Sequence, residues 1–167
     1  STHPKGPHSR GLMCTYGASR VSIHHNLMAH NSHRNPNLPW QLAGIDNPYM
    51  IDVVNNLLYN WRHKGALTKH KPDQNPDYRQ KGNINFVGNM YVKGPDSRKI
   101  HSLEVRNHAR VWAKDNIGPR RRNHSMDEFA CVSGNFQKAN EPFDTPDITM
   151  TSPEKASERI LARAGAT

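Results

Sequence analysis

Short apolar runs that end at an asparagine recur along this chain. The four runs are residues 21–26, 53–56, 86–89 and 103–107. Each is rich in aliphatic, β-branched or aromatic residues, which is typical of β-strands. Their asparagines are 30, 33 and 18 residues apart, near the spacing of solenoid coils that carry loops of variable length. The pattern predicts stacked coils over residues 11–110, with Asn26, Asn56 and Asn89 at equivalent turns.

Asparagine at the end of each run has a physical use. It tolerates the left-handed backbone conformation, so it can turn the chain sharply between two strands of one coil. Stacked coils would then align these amides in a hydrogen-bonded ladder. The alternative is that asparagine is simply a frequent turn residue in a chain rich in it.

Two polar stretches separate the apolar runs, and one helix follows them. Residues 63–82 and 114–127 lack apolar periodicity and are predicted to be surface loops. The second loop contains three consecutive arginines from Arg120, which are typical of a solvated face. We therefore expect residues 1–150 to form the coils and loops, and residues 151–167 to form a helix that packs on the solenoid.

The terminal helix has recognisable start and stop signals. Thr151 is the predicted N-cap, with Glu154 three residues on and a proline in the first turn. Gly165 stands where a C-cap belongs. The predicted apolar stripe of this helix comprises Ala156, Ile160, Leu161 and Ala164.

Composition favours an elongated protein with a thin core. Only 34% of the 167 residues are hydrophobic, and the mean hydropathy is -0.89. The formal charge of +9, with 11 further histidines, predicts attraction to polyanions, and acidic polysaccharide and nucleic acid satisfy it equally well. No nucleic-acid reader motif is present, which makes a nucleic-acid partner the weaker hypothesis.

Two further features of the sequence limit the interpretation. Cys14 and Cys131 are too few for a disulfide framework, and they permit either one bridge or two free thiols. No apolar run approaches the length of a membrane span, and residues 1–6 contain no signal-peptide core.

Four motifs, in this order, resemble those of pectate lyases, the enzymes that cut polygalacturonate by β-elimination. They are HSRGL at residues 8–12, VSIHHNLMAHNSHRNP at 21–36, DVVNNLLYNW at 52–61 and NINFVGNMYVKGP at 83–95. The resemblance covers about residues 3 to 97. It implies an all-β fold, a right-handed parallel β-helix with long loops and one C-terminal α-helix.

The resemblance also implies roles for particular residues. Arg34, eight residues after Asn26 and followed by Asn-Pro, matches the family's catalytic base. Arg10 stands where the family has a substrate-holding lysine, and Lys5 lies nearby as a second substrate-binding cation. A further family arginine is replaced by the stretch from Asn37 to Pro39.

The family uses Ca²⁺ held by acidic strands that precede this region, so we expect no metal ligand in this chain. Family members are secreted, and the chain resembles an internal piece of a longer extracellular enzyme that acts on polygalacturonate or pectin. The missing part of that protein, or another chain, is expected to cover an open end of the β-helix near residues 8–26. A membrane partner is not expected.

Two alternatives remain from the sequence. One is a non-catalytic β-helix that binds acidic polysaccharide or forms an extracellular structure. The other is a basic nucleic-acid-binding domain, which only the charge supports. A structural Zn²⁺ site in the cluster of His24, His25, His30 and His33 is a further interpretation of the histidines. Adjacent residues on a strand point to opposite faces, so His24 and His25 are not expected to chelate one ion, and ring stacking is the favoured use of the histidines.

Overall fold

The structure, a computed structural model, describes residues 4, 9–14, 18–38, 49–68, 82–106 and 108–164. The strands are β1 (Val21–His24), β2 (Leu27–Ala29), β3 (Asn37–Leu38), β4 (Tyr49–Val54), β5 (Leu57–Tyr59), β6 (Ala66–Thr68), β7 (Gly82–Val87), β8 (Met90–Val92), β9 (Leu103–Val105), β10 (Arg110–Lys114), β11 (Val132–Gly134) and β12 (Gln137–Lys138). A 3-10 helix spans Glu128–Cys131, and helix α1 spans Pro153–Arg163.

These strands form three parallel sheets. The first sheet has the order β1-β4-β7-β10-β12, the second β2-β5-β8, and the third β3-β6-β9-β11. Each coil contributes one strand to each sheet in turn, and every strand pair is parallel. The predicted parallel β-helix is confirmed, with three complete coils and a fourth that begins at β10.

The core consists of columns of apolar side chains that run through the coils. In the first sheet, Ile23 pairs with Val53, Val53 with Phe86, and Phe86 with Ala113. All four side chains are buried. Burying an aliphatic or aromatic side chain stabilises a fold by about 1.5 to 3 kcal/mol, so a narrow interior still holds the coils together.

The predicted asparagine ladder is present and links successive coils. Asn26 donates from its backbone and side-chain amides to Oδ1 of Asn56, over 3.1 and 3.0 Å. Asn56 donates in the same way to Asn89, and Asn89 to Asn116. The side chain of Asn56 also donates to the carbonyl of Ile23 over 2.8 Å, so each inner asparagine connects three coils.

The fourth rung of the ladder was predicted at the wrong residue. The run that begins at Leu103 forms β9, which pairs with β6 and β11 in the third sheet, and Asn107 lies outside the described residues. The rung is Asn116, which follows β10. The strand β10 begins and ends with charged residues, so its short apolar interior did not stand out in the sequence.

Both predicted loops contain ordered structure. Residues 66–68 of the first loop form β6, while its residues 69–81 lie outside the described part of the chain. In the second loop Arg121 is fully buried, between the exposed Arg120 and Arg122. The prediction of a uniformly solvated arginine run is therefore wrong for Arg121.

Arg121 organises the loop around itself. Its guanidinium donates to the carbonyls of Asn116, His124 and Met126 over 2.7 to 3.2 Å. It also pairs with the carboxylate of Glu128 at 2.9 Å. A planar fork with five N–H donors is suited to joining several carbonyls at once, which explains an arginine at this buried position.

Helix α1 packs on the outside of the second sheet, against β5 and β8. Its N-cap is Ser152 rather than Thr151, and the Ser152 hydroxyl accepts from the amide of Lys155. Thr151 instead exchanges two backbone hydrogen bonds with the side chain of Asn55, at 2.8 and 2.9 Å.

The apolar stripe of the helix is shorter than predicted. Ala156 and Ile160 are buried, whereas Leu161 is 64% exposed and Ala164 is exposed. The structure places the C-cap at Ala164, and Gly165 lies outside the described residues.

Both cysteines are free thiols, so the bridged alternative is not formed. Cys131 is fully buried, and burial raises the pKa of its thiol to about 12.

Among the described residues, the first coil forms one end of the β-helix. Strands β1 and β2 stand first in their sheets. In the third sheet, isolated bridges add Arg10 beside His33 and Met13 beside Asn37. Unpaired strand edges invite other strands, and the segment or chain that covers this one stays a prediction.

We expect Asn89→Ala to lower the free energy of unfolding by about 3 kcal/mol, because it removes buried hydrogen bonds to both neighbouring coils. Asn26→Ala is the matched control, since Asn26 is exposed and bonds to one neighbouring coil; its effect should stay below about 1 kcal/mol. Urea unfolding of both variants measures the difference. Equal losses would contradict a buried ladder that holds the coils together.

We expect Arg121→Met to lower the free energy of unfolding by about 3 kcal/mol, because Glu128 and three carbonyls lose their donor. Arg120→Met removes the same charge from the exposed neighbour and should cost less than about 1 kcal/mol. Urea unfolding of both variants measures this difference in the free energy of unfolding. An unaffected Arg121→Met protein would show that the buried guanidinium does not organise the loop.

Candidate functional site

Two of the three predicted site residues lie together on neighbouring coils. Arg10 forms a parallel bridge with His33, and the amide of Gly11 donates to the carbonyl of His33 over 3.1 Å. Arg34 is the next residue, so Arg10 and Arg34 meet at the turn between the second and third sheets. Lys5 lies outside the described residues.

The backbone at Arg34 is held in an unusual conformation. Its φ is 65°, in the left-handed region that costs a non-glycine residue about 1 to 3 kcal/mol. The next residue, Asn35, anchors the turn by donating to the carbonyls of Gly65 and Lys64. A Cβ at Gly11 would lie 2.6 Å from the carbonyl oxygen of Arg34, so only glycine allows the preceding coil to approach this closely.

Arg34 is a half-buried cation beside another cation. Burial, and then the positive charge of Arg10, lower the pKa of the Arg34 guanidinium below its ordinary value. Its Nη1 lies 2.6 Å from Sδ of Met13. A thioether is a weak acceptor without charge, so this contact positions the guanidinium without neutralising it.

Basic side chains continue from this point along the coils. We call them the basic row, whose described members are Arg10, His33, Arg34, His63, Lys64, His101 and Arg120. The rings of His33 and His63 stack with centroids 4.8 Å apart and planes at 24°. The His63 amide donates to the carbonyl of Ser32 in the coil before it. At the far end, Nδ1 of His101 lies 3.3 Å from Nη1 of Arg120.

The carboxylate of Glu104 contacts the basic row. It forms ion pairs with Lys64, at 2.8 Å, and with Arg106. Burial acts to raise the pKa of Glu104, but its hydrogen bonds with Lys64 and Arg106 outweigh burial and lower it. Glu104 therefore stays ionised and offsets part of the charge at the middle of the row.

The histidines of the row are poised to stay neutral near pH 7. Burial, followed by the charges of neighbouring cations, lowers the pKa of His33, His63 and His101. Lys64 acts on both His33 and His101, and Arg120 acts on His101. The permanent charge of the row thus comes from its arginines and lysine.

The residues at this site do not fit a calcium ion. Ca²⁺ takes six to eight oxygen ligands, mostly carboxylates and carbonyls, whereas the groups that meet around Arg34 are cations and a thioether. In the described parts of the chain, no group of three or more His, Cys, Asp or Glu side chains is arranged to hold a metal ion.

The expected geometry of His24 and His25 was wrong. Strand β1 ends at His24, and His25 turns into the left-handed region with φ 54°. Their Nδ1 atoms therefore come within 3.0 Å of each other. Two nitrogens are still two ligands short of a structural zinc site.

Ring stacking is formed by His33, whereas His30 makes an edge-to-face contact and lies 3.0 Å from the side-chain nitrogen of Asn60. His33 stacks on His63, and the His30 ring meets Tyr59 edge to face at 5.2 Å. Three aromatic side chains of the coils lie in the core: Tyr49, Trp61 and Tyr91 are buried.

Sequence reasoning missed much of the row. Lys64, His101 and Arg120 fall in or beside stretches without apolar periodicity, so nothing assigned them to a common face. One signal was available: His33 and His63 are 30 residues apart, the same spacing as Asn26 and Asn56.

Comparison with known proteins does not identify the chain. No protein-family model matches it, and no curated protein matches it at a significant level. Within the described residues, no helix is long and apolar enough to cross a membrane. The assignment of the fold is therefore based on the structure, and any proposal of function is based on the chemistry of the site.

Proposed function

We propose that this chain belongs to a pectate-lyase-like enzyme that binds polygalacturonate along the basic row and cleaves it by β-elimination. The observation that carries the proposal is the meeting of Arg10 and Arg34. They were singled out from separate motifs, and they lie side by side on neighbouring coils. The resemblance of the motifs supplies the reaction, and the row supplies a surface for its substrate.

The row suits a polymer with a carboxylate on every sugar. Its cations repeat from coil to coil, so a chain laid along the β-helix would meet several of them in succession. The fork of an arginine can hold one carboxylate with two parallel hydrogen bonds. Arg10 and Arg34 are the groups that would fix the sugar at which reaction occurs.

The proposed reaction begins with removal of the proton from the carbon next to the carboxylate. A neutral guanidine of Arg34 accepts this proton, the electron pair forms a carbon–carbon double bond, and the glycosidic oxygen on the adjacent carbon leaves and is protonated by water. Guanidinium is a very weak acid. Burial and the charge of Arg10 both act in the direction that such a base requires.

Calcium is implied by the resemblance, but the described residues at Arg34 offer no ligand set for it. Its ligands are proposed to lie elsewhere in the protein, on strands that precede this region in the family. Bound there, Ca²⁺ would neutralise the substrate carboxylate. An extracellular location is part of the same proposal.

A non-catalytic protein that binds acidic polysaccharide is the second candidate. The replacement of the family's further arginine by the stretch from Asn37 to Pro39 favours it, since that arginine would help a lyase to hold its substrate. The row attracts a polyanion in either case. Detection of the unsaturated product distinguishes the lyase from the binding protein.

We expect Lys64→Gln to weaken binding of a galacturonate oligomer roughly tenfold, the change that about 1.4 kcal/mol of lost interaction produces. Lys138→Gln is the control, because it removes the same charge from an exposed residue of β12, away from the row. Titration calorimetry at low salt measures both. Equal weakening would show that net charge alone, and not the row, attracts the oligomer.

In the full-length protein, we expect Arg34→Lys to reduce turnover of polygalacturonate far more than Arg10→Lys, by about 100-fold or more. Lysine at position 10 restores the residue usual in the family, whereas lysine at 34 shortens and moves the proposed base. Absorbance of the unsaturated product is the assay, with and without chelator.

Near-normal turnover of Arg34→Lys would make Arg34 a binding residue. A rate that chelator leaves unchanged would remove Ca²⁺ from the proposal. If the full-length protein releases no unsaturated product at any Ca²⁺ concentration, the binding protein replaces the lyase.

A further inference from the structure

His33 and His63 form a stacked pair within the basic row. They add no permanent charge to the row, so their place in it needs a separate explanation. The two rings occupy equivalent positions in successive coils, 4.8 Å apart and nearly parallel. Both residues are partly exposed, so a ligand on the row can reach them. Two protonated rings at this distance repel each other, and an anion laid over both would offset that repulsion.

The described groups whose charges act on the pair are basic. His33 faces Arg10 from the preceding coil, Arg34 from its own turn, and Lys64 from the following coil. His63 faces Arg62 and Arg98. The carboxylate of Glu104 acts on His101 and forms ion pairs with Lys64 and Arg106.

We propose that His33 and His63 take up protons when an acidic polysaccharide binds the basic row, so that binding tightens as the pH falls. This inference rests on the proposed function, since it concerns the same surface and the same class of ligand. The protons come from solvent, and no other reactant is needed. The pair thus becomes positively charged when the polymer binds.

The direction of the pH dependence follows from linkage. In the free protein, burial and the surrounding cations lower the pKa of both histidines, so both are neutral at pH 7. A carboxylate polymer raises these pKa values. Affinity therefore increases as the pH falls through the raised pKa values and levels off below the free-state values. It declines again near pH 4, where carboxylates of the polymer become protonated.

Acidic polysaccharide is favoured over nucleic acid by the aromatic residues. Proteins that bind single-stranded nucleic acid stack its bases on exposed aromatic side chains. Of the described aromatic residues, Tyr49, Trp61 and Tyr91 are buried in the core, and the partly exposed Tyr59 contacts the ring of His30. The row offers charge and imidazole rings, which suit a carboxylate on each sugar.

The test is calorimetric titration of the chain with a galacturonate hexamer at pH 5.5 and 7.5, in two buffers of different ionisation enthalpy. We expect net proton uptake at pH 5.5, and binding roughly tenfold tighter than at pH 7.5, which corresponds to a rise of about one pKa unit in total, shared by the two histidines. In the double variant His33→Gln, His63→Gln, proton uptake and the pH dependence should fall to the smaller contribution of His101. His108→Asn, a change at an exposed histidine on another turn, should leave both unchanged.

A second variant keeps the test valid if the double glutamine variant does not fold. His63→Arg places a permanent charge beside His33, so it should bind more tightly than the wild type at pH 7.5 and respond less to pH. Binding of the hexamer without proton uptake would overturn this inference and leave the proposed function standing. No binding at either pH would overturn both, and tighter binding of single-stranded DNA than of the hexamer would overturn the assignment of the ligand.

Discussion

The buried hydrogen bonds between asparagine side chains are the interaction on which the rest of this structure depends. Asn56 and Asn89 are almost inaccessible to solvent, and each joins the coil before it to the coil after it. An amide buried without partners destabilises a fold, so these side chains tolerate only one register between coils. Apolar side chains alone would permit neighbouring strands to slip. The ladder removes that freedom.

The fixed register determines where the basic row lies. Because successive coils repeat their turns at equivalent positions, His33 stands over His63, and Arg10 stands beside the turn that carries Arg34. Assembling cations in this way is unfavourable without a ligand, because their charges add to the effect of burial in lowering the pKa of Arg34 and of the histidines. A fold that maintains such repulsion through strongly bonded coils is suited to a ligand that relieves it.

The coils could be predicted from the sequence where an apolar run is directly followed by the asparagine that forms the turn. Asn26, Asn56 and Asn89 each follow an apolar run, so their turns were found. Asn116 was missed because β10 is bounded by Arg110 and Lys114, and the stretch after it has no apolar period. Sequence spacing identified Arg10 and Arg34 by resemblance alone, and the stacking of coils brought them together.

Other features depend on contacts between distant parts of the chain. Arg121 lies in a run of three arginines that looks solvent-exposed, and only the closed loop shows that its guanidinium holds three carbonyls and Glu128. Thr151 is a residue type that commonly forms an N-cap. Its backbone is instead hydrogen-bonded to the side chain of Asn55, 96 residues earlier, and Ser152 caps the helix. No local pattern encodes either outcome.

The central claim is that an acidic polymer lies along the row and meets cations on successive coils. The affinity of the chain for galacturonate oligomers of increasing length, from monomer to hexamer, tests it most directly. The account predicts that affinity rises with each added sugar until the row is spanned, and that its dependence on salt steepens in parallel. A monomer that binds as tightly as the hexamer, with the same salt dependence, would contradict an extended site and would confine recognition to a single pocket.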